Sequence, residues 1–296
     1  VDTQNLLAFV SVVEAGSFSA AAEALHITQP AVSKRIAALE NQLNCRLFDR
    51  ISRSVQLTEA GTSLLPRAQR ILLAVQEAKR SIDDLHGEVS GQLSIGISHH
   101  IGLHRLPPVL QAFSQQYPQV HFDIDFMDSE EAYEQVMQGR IELAVVTLDP
   151  TGKSPLLTQP LWQDDLVVAI AHQHPLAKHL SDNNEANLNT LSQHPAILPG
   201  LNTYTGQIIK SLFQQHQLVL DVSMATNYLE TIKMMVSIGL GWSVLPRTMI
   251  DETLQTLDIS ELQLQRTLGY VYHQNRSLSN AATAFVQALQ VNADSH

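Results

Sequence analysis

Seven apolar residues, Leu64, Ala68, Ile71, Val75, Ala78, Ile82 and Leu85, follow one another in steps that alternate between four and three. Three heptads at a period of 3.5 make a helix with a narrow apolar seam, suited to pairing with another helix rather than capping a broad core. Charged residues surround the seam, among them Arg67, Arg70, Lys79 and Arg80. Pro66 removes one backbone hydrogen bond near the start. His86-Gly87 and Ser90-Gly91 end the stretch and mark a boundary. The competing assignment is a long helix packed on its own domain. Either way the seam divides 296 residues into a helical N-terminal part and a C-terminal two hundred with a different period.

In the N-terminal part, Leu6, Val10 and Val13 form the stripe of a short amphipathic helix. Gly16 is a natural stop and Ser17 a cap for the next helix, Ser19–Leu25, whose Ala20-Ala21-Ala22 permits close approach. Thr28 then caps a third helix, and Pro30 suits its first turn, where the missing N–H costs little. Val32, Ile36, Leu39 and Leu43 mark its buried face. Two helices joined by so short a turn read as a helix-turn-helix. Gln29, Ser33, Lys34 and Arg35 lie on the polar face near the N-terminal end of the third helix, the part of this motif that reaches base edges. Gln pairs with adenine and Arg or Lys with guanine, while Ser takes either role or holds a phosphate. An ordinary solvated helix face is the alternative for any lone Lys-Arg pair. A hairpin over Leu47–Thr58 follows, with Arg50 and Arg53 at its polar tip, placed to lie along the DNA backbone or in the minor groove and to position rather than read sequence.

Net charge at first opposes this reading. The chain carries 18 basic and 29 acidic residues, a formal net of -11, whereas nucleic-acid binders are commonly basic. Residues 1–88 hold nine basic and ten acidic side chains, so almost all of the excess acid lies beyond them. Between Gln29 and Val55 five basic residues face two acidic ones. Salt screens distant charge, so that local excess governs phosphate contact.

Three segments carry a resemblance. Ser17-Phe18-Ser19-Ala20-Ala21-Ala22, Thr28-Gln29-Pro30-Ala31-Val32-Ser33, and the run Phe48-x-Arg50-x-x-Arg53-x-Val55-x-Leu57-Thr58-x-Ala60-Gly61 resemble the N-terminal signature of LysR-type transcriptional regulators. The match spans about 45 continuous residues with no departure at the motif positions. The resemblance implies a winged helix-turn-helix bound as a dimer to an interrupted inverted repeat in double-stranded DNA, within a homotetramer. It places Gln29, Pro30, Ser33, Lys34 and Arg35 at the groove and Arg50 and Arg53 on the wing. RNA polymerase is a further candidate partner.

Past Gly91 the period becomes that of strands. Leu93, Ile95 and Ile97 alternate, Pro107–Gln116 reads as a helix, Phe122, Ile124 and Phe126 alternate, Ser129–Met137 is helical, and Leu143–Val146 is a buried strand. This order predicts a parallel, doubly wound sheet. A second series runs through Leu166–Ala171, Ala196–Leu198, Ile208–His216, Val219–Met224, Leu229–Ile238 and Ser243–Leu245, and Leu268–Tyr272 and Ala281–Leu289 close it. Two such units make a cleft, and open α/β sheets bind small ligands at the C-terminal ends of their strands. This half resembles the family's effector-binding region, a pair of periplasmic-binding-protein-like subdomains. Gly239-Leu240-Gly241-Trp242-Ser243-Val244-Leu245-Pro246 carries the likeness more loosely than the N-terminal motifs do. By that resemblance an effector meets Ser98, His99, His100 and Ile101, then Thr147, then Asn202, Thr203, Tyr204 and Thr205. Their hydroxyls and backbone N–H groups suit a small anion, although Ser and Thr also serve as plain helix caps.

The expected architecture is therefore α/β overall. It comprises a mostly helical winged helix-turn-helix (1–58), a linker and dimerisation helix (59–90), and a two-subdomain effector region (91–296). Subdomain I takes 91–160 and 268–296, and subdomain II takes 161–267. His99, His100 and His104 invite a metal reading, set aside because histidines on one short segment still need a further ligand and a supporting shell. The single cysteine, Cys45, excludes an intramolecular disulfide, a CxxC pair and a paired-thiol oxidant sensor, and it reads as a small buried apolar residue. No nucleophile elbow, HExxH, GxGxxG or P-loop stands in the chain, so neither an enzyme nor a nucleotide cofactor is expected. No apolar run nears the roughly 18 residues of a membrane span and no signal segment opens the chain, so a cytoplasmic location is expected.

Overall fold

The computed structural model describes residues 1–49, 55–83, 88–178, 187–259, 264–274 and 276–293. They form two compact units, Val1–Glu88 with Gln138–Arg140, and Val89–Met137 with Ile141–His296.

In the first unit, α1 (Thr3–Ala15) starts where Asp2 Oδ1 accepts the Gln4 N–H at 2.8 Å, and it stops at Gly16 with φ 67°. Helix α2 (Phe18–Ala24) begins at Ser17, whose Oγ accepts the Ala20 N–H at 3.1 Å. The stop and the cap read from Gly16-Ser17 are thus both present. Helix α3 (Gln29–Leu43) follows Thr28 with Pro30 in its first turn, but the Thr28 side chain makes no cap hydrogen bond. Leu6, Phe9 and Val10 of α1 pack on Ala21 and Ala22 of α2 and on Val32, Ile36 and Leu39 of α3 in one core. Cys45 is half-buried against it.

Strands β1 (Phe48–Asp49) and β2 (Gln56–Leu57) pair antiparallel to form the base of a wing. Thr58 clamps that base: its N–H donates to the Leu47 carbonyl at 3.0 Å and its Oγ1 to the Arg46 carbonyl at 2.7 Å. The wing tip, with Arg50 and Arg53, lies outside the described residues. Helix α4 (Glu59–Asp83) runs through Pro66. Its seam divides. Leu64 and Ala68 pack into the core of this unit, whereas Ile71, Val75 and Ile82 are 45%, 50% and 63% exposed. Leu85 lies outside the described residues. Among the described residues no single helix is long and apolar enough to cross a membrane.

The second unit is built on one seven-stranded sheet. Strand β3 (Gly91–Ile97) pairs parallel with β4 (Val120–Phe126) on one side and β5 (Leu143–Thr147) on the other. Helices α5 (His99–His104), α6 (Pro107–Gln116) and α7 (Ser129–Gln138) supply the crossovers. Val109 and Phe113 of α6 cover one face of the sheet with Phe285 and Leu289 of the final helix. Ala132, Tyr133 and Val136 of α7 cover the other. The doubly wound expectation holds here.

Two long strands then carry the chain out and back. Strand β6 (Leu157–Ala171) pairs antiparallel along its first ten residues with the strand Leu264–Tyr272, which itself pairs antiparallel with β5. The sheet is therefore mixed rather than wholly parallel. Only Leu166–Ala171 is apolar enough to announce β6, because its first four residues are exposed and buried and exposed side chains alternate from Trp162 to Asp165. Beyond Leu166 it pairs with Ser243–Pro246 and with Leu254–Leu257, the latter a four-residue edge strand with no signal of its own. Around this second end lie α8 (Leu188–Ser192), β7 (Ala196–Leu198), α9 (Tyr204–Gln215), β8 (Val222–Ala225) and α10 (Leu229–Ser237). Strands β7 and β8 pair parallel. Phe213 of α9 stacks on Trp242 with ring centroids 5.9 Å apart, and the indole N–H reaches the Leu191 and His194 carbonyls.

Gly61 lies where α4 crosses the wing, and a Cβ there would meet the Leu47 carbonyl oxygen at 2.3 Å. Gly61→Ala is expected to cost about 1–3 kcal/mol through forced displacement of that backbone. Urea unfolding of the full chain, followed by circular dichroism, measures it. An unchanged midpoint would show that the contact relaxes freely.

Candidate functional site

The first unit presents a polar helix face. Gln29 is exposed at the start of α3, and its Nε2 donates to Ser33 Oγ, one turn on, at 3.1 Å. Pro30 and Lys34 are exposed, and Ser33 and Arg35 half-buried. The apolar positions Val32, Ile36 and Leu39 point the opposite way, into the core. The 3.6-residue period therefore holds Gln29 and Ser33 together on the outside.

In the second unit a cavity of about 60 Å³ opens where helix starts converge. Ser98, His99 and His100 line it from the end of β3, Thr147 from the end of β5, and Thr203, Tyr204 and Thr205 from the start of α9. Seven of the nine sequence-predicted effector residues thus meet around one space. The other two do not reach it. Ile101 is buried in the core with Leu93 and Leu106, and Asn202 is exposed, its carbonyl accepting from Gln207 Nε2 at 2.9 Å. Thr203 is occupied as a cap, its Oγ1 accepting the Gly206 N–H at 3.1 Å while donating to the Gly200 carbonyl at 2.7 Å. The α9 start also holds an acid: the Glu130 carboxylate accepts the Tyr204 N–H. Burial raises the pKa of Glu130. Beside it, Asn227 donates to Asp128 Oδ2 at 2.5 Å and accepts the Gly200 N–H at 2.9 Å.

Arg266 enters the same wall and had no part in the sequence reading. It is 5% exposed, and its Nε and Nη2 donate to Asp164 Oδ2 at 3.1 and 2.8 Å. Its Nη1 donates to Thr205 Oγ1 at 3.2 Å. Asp164, 2% exposed, takes a further contact from Arg105 Nη2 at 3.3 Å. The two partners face each other in strand register on β6 and Leu264–Tyr272. His100 sits 3.6 Å from the same carboxylate. Burial, and next the Arg266 guanidinium, push its pKa down to about 4. His100 is therefore neutral near pH 7, and the cation that lines the cavity is Arg266. A signal for the pair did exist. Trp162, Asp164 and Leu166 alternate on one strand face, as do Arg266, Leu268 and Tyr270, which places both charges on an inward row.

Comparison with known proteins bears on both units. Residues 3–62 match the bacterial regulatory helix-turn-helix proteins of the lysR family, and residues 86–293 match the LysR substrate binding domain. The HTH-type transcriptional regulator in the ibpB-leuC intergenic region of Azotobacter vinelandii is 62% identical over 108 residues, 36% of this chain and 75% of that one. The Escherichia coli HTH-type transcriptional regulator YeiE is 31% identical over 97% of this chain and 96% of its own length. Full-length CbnR, solved in complex with its target DNA, shares the fold at a TM-score of 0.65 and 21% identity, covering 99% of this chain and 100% of that one.

The Arg266–Asp164 pair sets a testable energetic scale. Asp164→Asn leaves a buried guanidinium without its counter-charge and is expected to cost about 3–5 kcal/mol. Adding Arg266→Met to it is expected to restore much of that loss, because the uncompensated charge is gone. Urea midpoints of the single and double variants decide it, and a double variant no more stable than Asp164→Asn would contradict the account.

Proposed function

The chain belongs to the LysR family of transcriptional regulators, as a DNA-binding regulator with an effector-binding domain and not an enzyme, and from this we propose that its effector is a small anion held by the cavity beside Arg266. The observation that carries the proposal is the character of that space. About 60 Å³ is room for a few heavy atoms, since a single water needs about 10–15 Å³. Its lining combines one buried guanidinium with the hydroxyls of Ser98, Thr147, Thr203 and Thr205. The acid group of the effector takes over the Tyr204 N–H at the positive end of α9, and Glu130 gives it up. Ligand preference for one arrangement of the two subdomains then shifts the population of DNA-binding geometries.

On the DNA side, Gln29, Ser33, Lys34 and Arg35 read the major groove with Pro30 at the helix start, and Arg50 and Arg53 hold the backbone from the wing. The exposed Ile71, Val75 and Ile82 of α4 support pairing with a second copy, which matches an interrupted inverted repeat, and pairs assemble into a homotetramer. A cytoplasmic location follows from the same function.

Thermal-shift measurement on the full chain tests the effector class. Sulfate, phosphate or a short carboxylate is expected to raise the melting temperature, because a ligand that binds the folded state stabilises it. Ser98→Ala with Thr205→Ala is expected to abolish the shift and spare DNA binding. A response confined to aromatic acids, or one that survives the double variant, would refute the anion assignment.

Gln29→Ala is expected to lose about 1–3 kcal/mol of discrimination between operator and random DNA. Binding curves on both DNAs at fixed salt provide the readout. Equal loss on the two would remove Gln29 from base reading.

A further inference from the structure

Helix α5 presents His100 and His104 one turn apart, with ring centroids separated by 4.7 Å. Glu230, in the first turn of α10, brings its Oε1 to 2.8 Å from His104 Nε2. Ligand atoms from all three side chains lie within 4.8 Å of one another. Four-coordinate zinc, with bonds of about 2.0–2.1 Å, sets its ligand atoms about 3.3 Å apart.

A second observation points to a ligand independently. His100 is 6% exposed, yet neither of its ring nitrogens has a hydrogen-bond partner. Asp164 Oδ2 stands 3.6 Å from Nε2, beyond hydrogen-bond range. Buried polar atoms are seldom left idle, and those that are call for an explanation. Metal-binding histidines commonly ligate with one nitrogen and donate from the other to a carboxylate. His100, with Asp164 behind it, is disposed for that arrangement. His104 and Glu230 are 44% and 39% exposed, which leaves an entry from solvent and room for water as a remaining ligand. Arg105 and Arg266 both pair with Asp164, and Glu230 supplies the carboxylate of the site itself.

We propose that His100, His104 and Glu230 form a site for one divalent transition cation of the zinc class. Two imidazoles and one carboxylate suit such an ion, whereas calcium and magnesium seek all-oxygen shells. Helix α5 is anchored in the first core through Ile101 and α10 in another through Leu229 and Ile232. The ion therefore fastens one half of the effector-binding region to the other. The sequence offered His99 as the third candidate, whereas Glu230, which joins His100 and His104, lies 126 residues from His104.

The test uses the untagged full-length chain. Zinc is titrated by calorimetry, and cobalt(II) is added separately to record its visible spectrum. One ion per chain is expected. Loss of a supporting partner alone typically lowers metal affinity about 10–100-fold, so His104→Ala and Glu230→Gln are each expected to weaken binding about tenfold or more. They are also expected to alter the cobalt spectrum. Both positions are exposed enough for the variants to fold, and circular dichroism checks that they do. Absence of saturable zinc binding would overturn the proposal. So would affinity and stoichiometry unchanged in both variants, which would assign the metal to others of the 13 histidines.

Discussion

A guanidinium held almost entirely out of water needs a carboxylate and fixed hydrogen bonds, or the fold around it fails. Arg266 has both, and much of the effector-binding region follows from how they are supplied. Asp164 faces it in register across the two long strands that join the halves. Arg105 reaches the same carboxylate from just beyond α5, and Thr205 meets Arg266 from the first turn of α9. One ion pair thus gathers groups from the first half, the connecting strands and the second half at a single point. The cavity opens beside that point, with Arg266 in its lining together with Asp128 and Glu130. His100, pressed against the same pair, stays neutral because burial and the guanidinium both disfavour its charge.

The N-terminal unit depends on a simpler constraint. Three short helices share one small core, and close approach of α2 is possible because Ala21 and Ala22 present little more than a methyl each. Burying Val32, Ile36 and Leu39 leaves Gln29 and Ser33 on the outer face of α3. The net charge of -11 does not oppose DNA contact at this face, since the excess acid belongs to the other unit and salt screens it.

Local chemistry was legible from residues alone. Gly16 and Ser17 stop one helix and start the next, β3 and β4 carry alternating apolar residues, and β5 is a short apolar run buried throughout. The heptad seam was legible only as a helix. Its first members, Leu64 and Ala68, joined the core of their own unit, while Ile71, Val75 and Ile82 stayed outside. Periodicity records which face is apolar and not what covers it. The first half of β6 and the strand Leu254–Leu257 escaped notice because exposed residues, or mere brevity, leave too little apolar signal.

The same distinction runs through the candidate site. Residues near one another in the chain, at the ends of β3 and β5 and at the start of α9, could be named from motif position and hydroxyl chemistry, and seven of them line one cavity. Arg266, Asp164, Glu130 and Glu230 could not be assigned in that way. Each acts through a partner 59 to 126 residues distant, or across from another helix start. By itself the sequence determined the family, the local helices and strands, and the positions of caps and hydroxyls, because these depend on neighbours within a few bonds. Tertiary structure alone decided which charge lines the cavity, which histidine is left unpartnered and which acid faces it. Burial and ion pairing depend on what the folded chain brings within a few ångströms, whatever the separation along it.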